Sequence, residues 1–301
     1  MTTHLEEVAG GIYRLELYIK GIPTVFTVYL IREDGNALVE PGPAVLVPDI
    51  LAAAADTGIH GFKYIFPTHI HQDHAGGLGR LAQVFPQAEI VVNRQAARHA
   101  IEPSRLIRST EMAFGVDFAD TFGQILPVPE ANITVAADGD VFYLGERELR
   151  VFDTPGHAGH HVVIYDTRTG GLFCGEALGL IFTTGTPPLP AVAAPSFDLE
   201  VYLATMRRLQ ELRPAVLYYS HGGIGTEPDK QIPAIIENAQ VVGDFILNLL
   251  KAGNKPAAII QAVDDLLREK YGARLGDYDL STTVGGYIHY FRKKGLVQGP
   301  G

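Results

Sequence analysis

Apolar and polar positions alternate through GIYRLELYIKGIPTVFTVYLI (residues 11–31), rich in β-branched and aromatic side chains, until REDGNALVEPGP breaks the pattern. The alternation predicts consecutive antiparallel strands. The alanine- and leucine-rich run from Pro48 to Thr57 predicts a helix, and FKYIFPTH a short buried strand that stops at Pro67. LGRLAQVFPQ then reads as a helix ending before Pro86, and AEIVVN as the next strand. Residues 94–130 form a helical or irregular insertion carrying Phe114, Phe118 and Phe122, a candidate lid. The pattern restarts with GDVFYLGERELRVFDTPGH, two strands around a glycine turn, and HVVIYDTRTGGLFCGEAL, again strand, turn, strand. A helix from about Leu199 to Leu212 and the strand AVLYYSH follow.

Strand-rich and helical stretches thus occur twice without a sequence repeat. That order predicts an α/β (α+β) fold: a four-layer αβ/βα sandwich of two packed mixed sheets with outer helices. TTGTPPLPAVAAPSF (residues 183–197) is too rich in proline for a sheet interior and is expected as a surface loop. Beyond it the chain turns amphipathic and helical, which suggests a sandwich domain over residues 1–230 and a helical C-terminal extension over 231–301.

Composition narrows the function classes. A chain of 301 residues with 47% hydrophobic composition can bury a large core. Its formal charge is −10, and its only Lys/Arg run is Arg292–Lys294, which argues against nucleic acid and membrane partners; an anionic substrate would need a local cation. MTTHLEEVAGG has neither a basic nor an apolar leader segment, and no apolar stretch approaches the about 20 residues that span a bilayer, so the expected location is cytoplasmic. The single cysteine, Cys174, reads as buried filler and leaves nitrogen and oxygen as the main ligands for any metal.

The chemistry concentrates in PTHIHQDHAGGLGR, which begins at Pro67. His69, His71, Asp73 and His74 fall within one short loop after a strand, and imidazole with carboxylate is what first-row metals accept. Clustered histidines gain nothing from adjacency without a cation, because each depresses its neighbour's protonation. Gly77, Gly79 and Ala82 also match the spacing of a dinucleotide-binding turn, but AEIVVNRQ lacks the acidic residue such a site needs. Further donors stand at predicted strand ends: His157 in DTPGHAGHH, with His160 and His161 behind it, Glu176 in LFCGEAL, and His221 in LYYSHGG.

These residues carry a family resemblance. THIHQDH and TPGHAGHH are similar to the signature stretches of the metallo-β-lactamase superfamily, in particular its glyoxalase II-like hydrolase branch, and the likeness covers about residues 8 to 230. It implies that His69, His71 and His157 hold one metal, and Asp73, His74 and His221 a second. Glu176 stands where the family usually has a bridging aspartate, and Glu40 in LVEPGP where it has an aspartate behind the ligands. The longer Glu176 side chain implies a looser bridge. Gly179 occupies the place of the tyrosine found in lactonase-like members, which argues against tyrosine-assisted homoserine-lactone hydrolysis.

The implied cofactors are two divalent metal ions, zinc foremost, with iron or manganese as alternatives. The implied activity is a metal-dependent hydrolase using a metal-bound hydroxide on a small-molecule ester, lactone, thioester or organophosphate. Asp73 is the candidate proton carrier, and His161 a hydrogen-bond partner behind the ligands. Phe114, Phe118, Phe122 and the proline-rich loop are expected to wall the substrate. Two rival readings share the residues: an iron-dependent enzyme handling oxygen or sulfur species, and a metal-stabilised binding protein without turnover. TTVGGYIHYFRKKGLV suits either a final helix of the extension or a homodimer contact.

Overall fold

The computed structural model describes residues 4–181, 188–272 and 279–298. The opening alternation resolves into β2 (Ile12–Tyr18) and β3 (Val25–Ile31), joined at the edge by β1 (His4–Ala9) in an antiparallel meander. β1 escapes a reading of the sequence because HLEEVA is polar and only half-buried along its length. β4 (Ala37–Val39) runs antiparallel to β3, and β5 (Tyr64–Phe66), β6 (Glu89–Asn93) and β7 (Ile133–Ala136) add in parallel, completing a seven-stranded sheet. Parallel neighbours need crossovers. These carry α1 (Val47–Asp56), α2 (Gln72–Ala75), α3 (Leu78–Val84), α4 (Arg94–Ile101), α5 (Ser104–Phe114) and α6 (Phe118–Phe122).

The second half folds the same way. β8 (Val141–Leu144), β9 (Arg147–Asp153), β10 (Val162–Asp166) and β11 (Gly171–Gly175) are antiparallel neighbours. β12 (Val216–Tyr219) pairs parallel to β11, and β13 (Ile224–Gly225) completes a six-stranded sheet. α7 (Leu199–Glu211), α8 (Pro228–Lys251), α9 (Pro256–Tyr271) and α10 (Ser281–Lys293) supply the remaining helices.

The chain forms two compact units. The first comprises residues up to Asp153, His160–Gly175 and Ala215–Ile224, and holds the sheets. Its central strands are apolar on both faces, as strands covered on both sides must be. On β3, Phe26, Val28 and Leu30 pack with Ile50, Leu78 and Leu81 of the helices, whereas Tyr29 and Ile31 join Phe66 and Val91 against Leu149, Ile164, Phe173 and Tyr218 of the other sheet. Two mixed sheets packed face to face are the sandwich that the repeated pattern predicts.

One local expectation needs correcting here. Phe118 and Phe122 are not a wall around a cleft: at 6% and 5% exposure they belong to the core beneath the helices, and only Phe114 faces outward. The glycines after the histidines serve packing, since a Cβ on Gly79 would stand 2.3 Å from the Leu126 carbonyl oxygen.

The second unit comprises Thr154–Gly159, Glu176–Pro214 and the chain from Gly225 onward. On α8, Ile232, Ile235, Ala239, Val242 and Ile246 recur every three or four residues and are buried, giving the apolar stripe of an amphipathic helix. Tyr287 Oη donates to the Ala239 carbonyl at 2.7 Å, tying α10 to α8, and Tyr271 Oη donates to Asn238 Oδ1 at 2.5 Å, tying α9 to it. Of the proline-rich stretch, residues 183–187 lie outside the described residues. The part from Pro188 to Val192 is buried rather than spread over the surface. Its backbone is satisfied there: Leu189 exchanges two hydrogen bonds with Leu180, and Asn238 Nδ2 donates to the Pro188 carbonyl.

Candidate metal centre

The site grows from strand ends. β5 stops at Pro67, and the next residues carry their side chains into the first unit: Thr68 is fully buried, His69 is 1% exposed, and Asp73 and His74 ride on the single turn of α2. β4 leads into Glu40, which adopts the left-handed conformation (φ 61°), and β12 leads to His221. β11 ends at Gly175 with φ +51°, where a Cβ would stand 2.5 Å from Thr68 Oγ1 and 2.8 Å from His161 Nε2. Only glycine suits that position, immediately before Glu176.

Hydrogen bonds fix which ring nitrogen of each histidine carries a proton. Val25 O lies 2.9 Å from His221 Nδ1, and a carbonyl can only accept, so Nδ1 donates and the neutral ring keeps its lone pair on Nε2. Glu40 Oε2 does the same at 3.0 Å from His74 Nδ1. Glu40 Oε1 takes the Thr68 hydroxyl proton at 2.6 Å, which leaves Thr68 Oγ1 to accept from His69 Nδ1 at 3.1 Å. One buried carboxylate therefore orients His74 directly and His69 through a threonine. In the second unit, Ala191 O lies 3.1 Å from His157 Nδ1, with the same result. Neither Thr68 nor Ala191 announces itself in the sequence as a group behind the ligands.

The nitrogens left with lone pairs face a further ring nitrogen or carboxylates. His69 Nε2 stands 2.9 Å from His71 Nδ1. Asp73 Oδ2 stands 3.3 Å from His74 Nε2 and 3.4 Å from His221 Nε2. In the second unit, His157 Nε2 stands 2.8 Å from Glu176 Oε2, while Tyr202 Oη donates to the Glu176 carbonyl at 2.8 Å and steadies that turn. Neutral rings in these tautomers would repel such carboxylates. The contacts with Asp73 and Glu176 call for positive charge between the atoms, and protonating several adjacent imidazoles is opposed by their own repulsion.

A metal ion answers the same demand. Bonds of about 2.0–2.1 Å in a tetrahedron put neighbouring ligand atoms about 3.3 Å apart, and the Asp73 distances lie at that edge. The ligand atoms of Asp73, His74 and His221 all lie within 4.8 Å of one another. Two nitrogens and an oxygen suit zinc and other first-row divalent ions. Burial would push the Asp73 carboxyl up, but positive charge on His74 and protons on the Nε2 atoms of His74 and His221 would outweigh it and hold the group well below the usual carboxylate range, the same call for positive charge beside this oxygen. His161 is fully buried, with its ring stacked 4.9 Å from that of His69. His160, weighed only as a neighbour, accepts from the Ile70 amide at 3.4 Å.

Comparison with known proteins agrees with this chemistry. Over 207 residues the chain is 28% identical to a metallo-beta-lactamase fold-containing protein of Sulfurisphaera tokodaii, covering 67% of this chain and 74% of that one. It is 30% identical over 165 residues to a hydroxyacylglutathione hydrolase of Synechococcus sp., covering 53% of each chain. A solved metallo-beta-lactamase family protein of Thermus thermophilus shares the fold with a TM-score of 0.73 at 21% identity, over 96% of this chain and 95% of that one. Among the described residues no helix is long and apolar enough to cross a membrane. Residues 23–221 match the profile of the metallo-beta-lactamase superfamily, and the chain belongs to that superfamily.

Proposed function

We propose that the protein is a metal-dependent hydrolase of acyl esters and thioesters, with lactones and organophosphates as further substrate classes. Asp73, His74 and His221 would hold one divalent ion, and His69 and His71 with His157 and Glu176 the other; both sets have the donor types such ions take. Zinc suits this mixture best. Bound there, the ions would polarise the carbonyl under attack and acidify a water.

The remaining roles fall to the chain itself. His74 and His221 are buried, whereas the Asp73 side chain is 31% exposed and is the group of that trio able to reach solvent and substrate. Its free oxygen would hold the attacking water in line and carry the released proton to the departing group. Glu40 and Thr68 keep their rings in one tautomer, so that binding costs no reorientation.

The observation that carries this reading is the convergence of Nε2 atoms and an ionised carboxylate around Asp73. The test is elemental analysis together with hydrolysis of an aryl ester and an acyl thioester before and after chelation. Loss on chelation and return with zinc, manganese or iron is the expected result; hydrolysis that persists in metal-free protein would overturn it.

A further inference from the structure

Asn238, on α8, has no place in the chemistry described so far, yet it is only 2% exposed and both ends of its amide are engaged. Its Oδ1 accepts from Tyr271 Oη at 2.5 Å and from Lys270 Nζ at 2.9 Å, both at the end of α9. An ammonium group can only donate, so that atom is the oxygen, and the NH₂ side donates to the Pro188 carbonyl at 3.2 Å. The amide thus joins α8 and α9 to the buried stretch 188–192.

What that stretch holds bears on the two candidate ligands of the second unit, His157 and Glu176. Leu189 exchanges backbone hydrogen bonds of 2.8 Å with Leu180. Two residues further on, the Ala191 carbonyl accepts from His157 Nδ1 at 3.1 Å, and the Ala191 amide donates to Tyr202 Oη at 3.4 Å. The opposite side of the bridge begins at Glu176, whose carbonyl accepts from the Gly179 amide at 3.2 Å. α8 touches both sides. A Cβ on Gly179 would stand 2.4 Å from Leu189 O and 2.8 Å from Ile235 Cδ1, so the turn after Glu176 lies directly against the helix. Ile235 and Asn238 are three residues apart and share one face of α8. That face supports the Glu176 turn by apolar contact and the stretch behind His157 by a hydrogen bond.

We propose that Asn238 is a positioning residue for the metal centre: by holding Pro188 it keeps the Ala191 carbonyl where it pins the His157 proton on Nδ1 and leaves the lone pair on Nε2. The inference rests on the reading above, in which His157 and Glu176 hold one ion, and it gives the helical chain beyond Gly225 a part in the chemistry. Packing of α8 on α9 alone needs only the Tyr271 and Lys270 bonds, whereas the bond to Pro188 serves the loop.

The test compares Asn238→Asp and Asn238→Leu with Tyr287→Phe in the full chain. Asn238→Asp keeps an oxygen for Tyr271 and Lys270, with Lys270 to balance its charge, and turns an acceptor toward Pro188. Asn238→Leu removes the link without adding charge. Tyr287→Phe deletes the bond between α10 and the Ala239 carbonyl of α8, which does not reach residues 188–192. In metal-free protein labelled with ¹⁵N in its imidazoles, the Nδ1 proton of His157 should exchange at least about tenfold faster in both Asn238 variants and at the unmodified rate in Tyr287→Phe. In zinc titrations against a chelating dye, one of two ions should bind about tenfold more weakly in the Asn238 variants, the low end of the range for a group behind a ligand, and the other as in the unmodified chain. With zinc bound by the unmodified chain, either readout staying at its unmodified value, or changing equally in Tyr287→Phe, overturns the proposal and leaves the hydrolase reading standing. Should the unmodified chain bind no zinc while exchange of the His157 proton still depends on Asn238, the hydrolase reading fails and the positioning of His157 stands. Unchanged circular dichroism of the variants excludes unfolding as the cause.

Discussion

Glu40 Oε2 lies 3.0 Å from His74 Nδ1, and the other oxygen of that carboxylate reaches His69 by way of the Thr68 hydroxyl. A single buried side chain therefore sets the tautomer of two rings. Glu40→Gln can keep one acceptor but presents an amide on the other side, so it disrupts one of the two links. Metal affinity should drop about 10- to 100-fold, the usual cost of losing a group behind a ligand. Competition with a chelating dye measures it; affinity equal to that of the unmodified protein would show that Glu40 merely fills space.

Asp73 touches two rings with one oxygen, and replacing it should separate metal loading from folding. Asp73→Asn keeps the shape and removes the charge that His74 and His221 face. One of the expected two ions should be lost in elemental analysis, and ester hydrolysis should fall by about 10²- to 10⁴-fold, the range of a positioned acid–base group. Full metal content with full activity would remove Asp73 from the centre.

Much of this was legible in the residues. The period-2 alternation gave β2 and β3, the Ala/Leu run gave α1, and the glycine and proline stops placed the histidines after strand ends. β1, β7 and β13 were not legible, because short or polar strands take their identity from the neighbours they pair with. The candidate donors were readable from spacing, whereas Thr68 and the carbonyls of Val25 and Ala191 were not. Backbone acceptors have no sequence signature, and a threonine becomes part of a relay only when the fold brings Glu40 beside it.

The first unit also contains an ion pair whose disruption should be costly. Arg147 and Asp166 are both fully buried and joined by two hydrogen bonds, Nη2 to Oδ2 at 2.7 Å and Nε to Oδ1 at 3.1 Å, between the start of β9 and the end of β10. Arg147→Ala would strand the carboxylate and should destabilise the protein by about 3–5 kcal/mol, whereas Arg147→Met/Asp166→Leu should cost far less. Chemical denaturation distinguishes them. Equal losses for the two variants would contradict this account.

Burial pushes the phenols of Tyr29 and Tyr287 well above their ordinary value near 10. Each donates its proton inside the fold, Tyr29 to the carbonyls of Tyr219 and Gly223 and Tyr287 to that of Ala239. A phenol whose pKa is raised on folding stabilises fully below the unfolded value and progressively loses that contribution above it. Stability should therefore be flat with respect to these groups below pH of about 10 and decline beyond it. Tyrosinate absorbance for the buried phenols should appear with unfolding; its smooth appearance in folded protein would show them to be accessible.

The meeting of Asp73 and His74 with His221 has a consequence for durability. These donors stand on one chain roughly 150 residues apart, so any cation they share pins shut a very long loop. With Cys174 alone, the protein has no covalent clamp of its own. A disulfide closing a loop of that length would be credited with about 5 kcal/mol by the loop-entropy model, and a coordinated ion performs a comparable service reversibly. A cation held there would tie heat tolerance to metal supply, so starvation for metal would be felt as fragility as well as lost turnover.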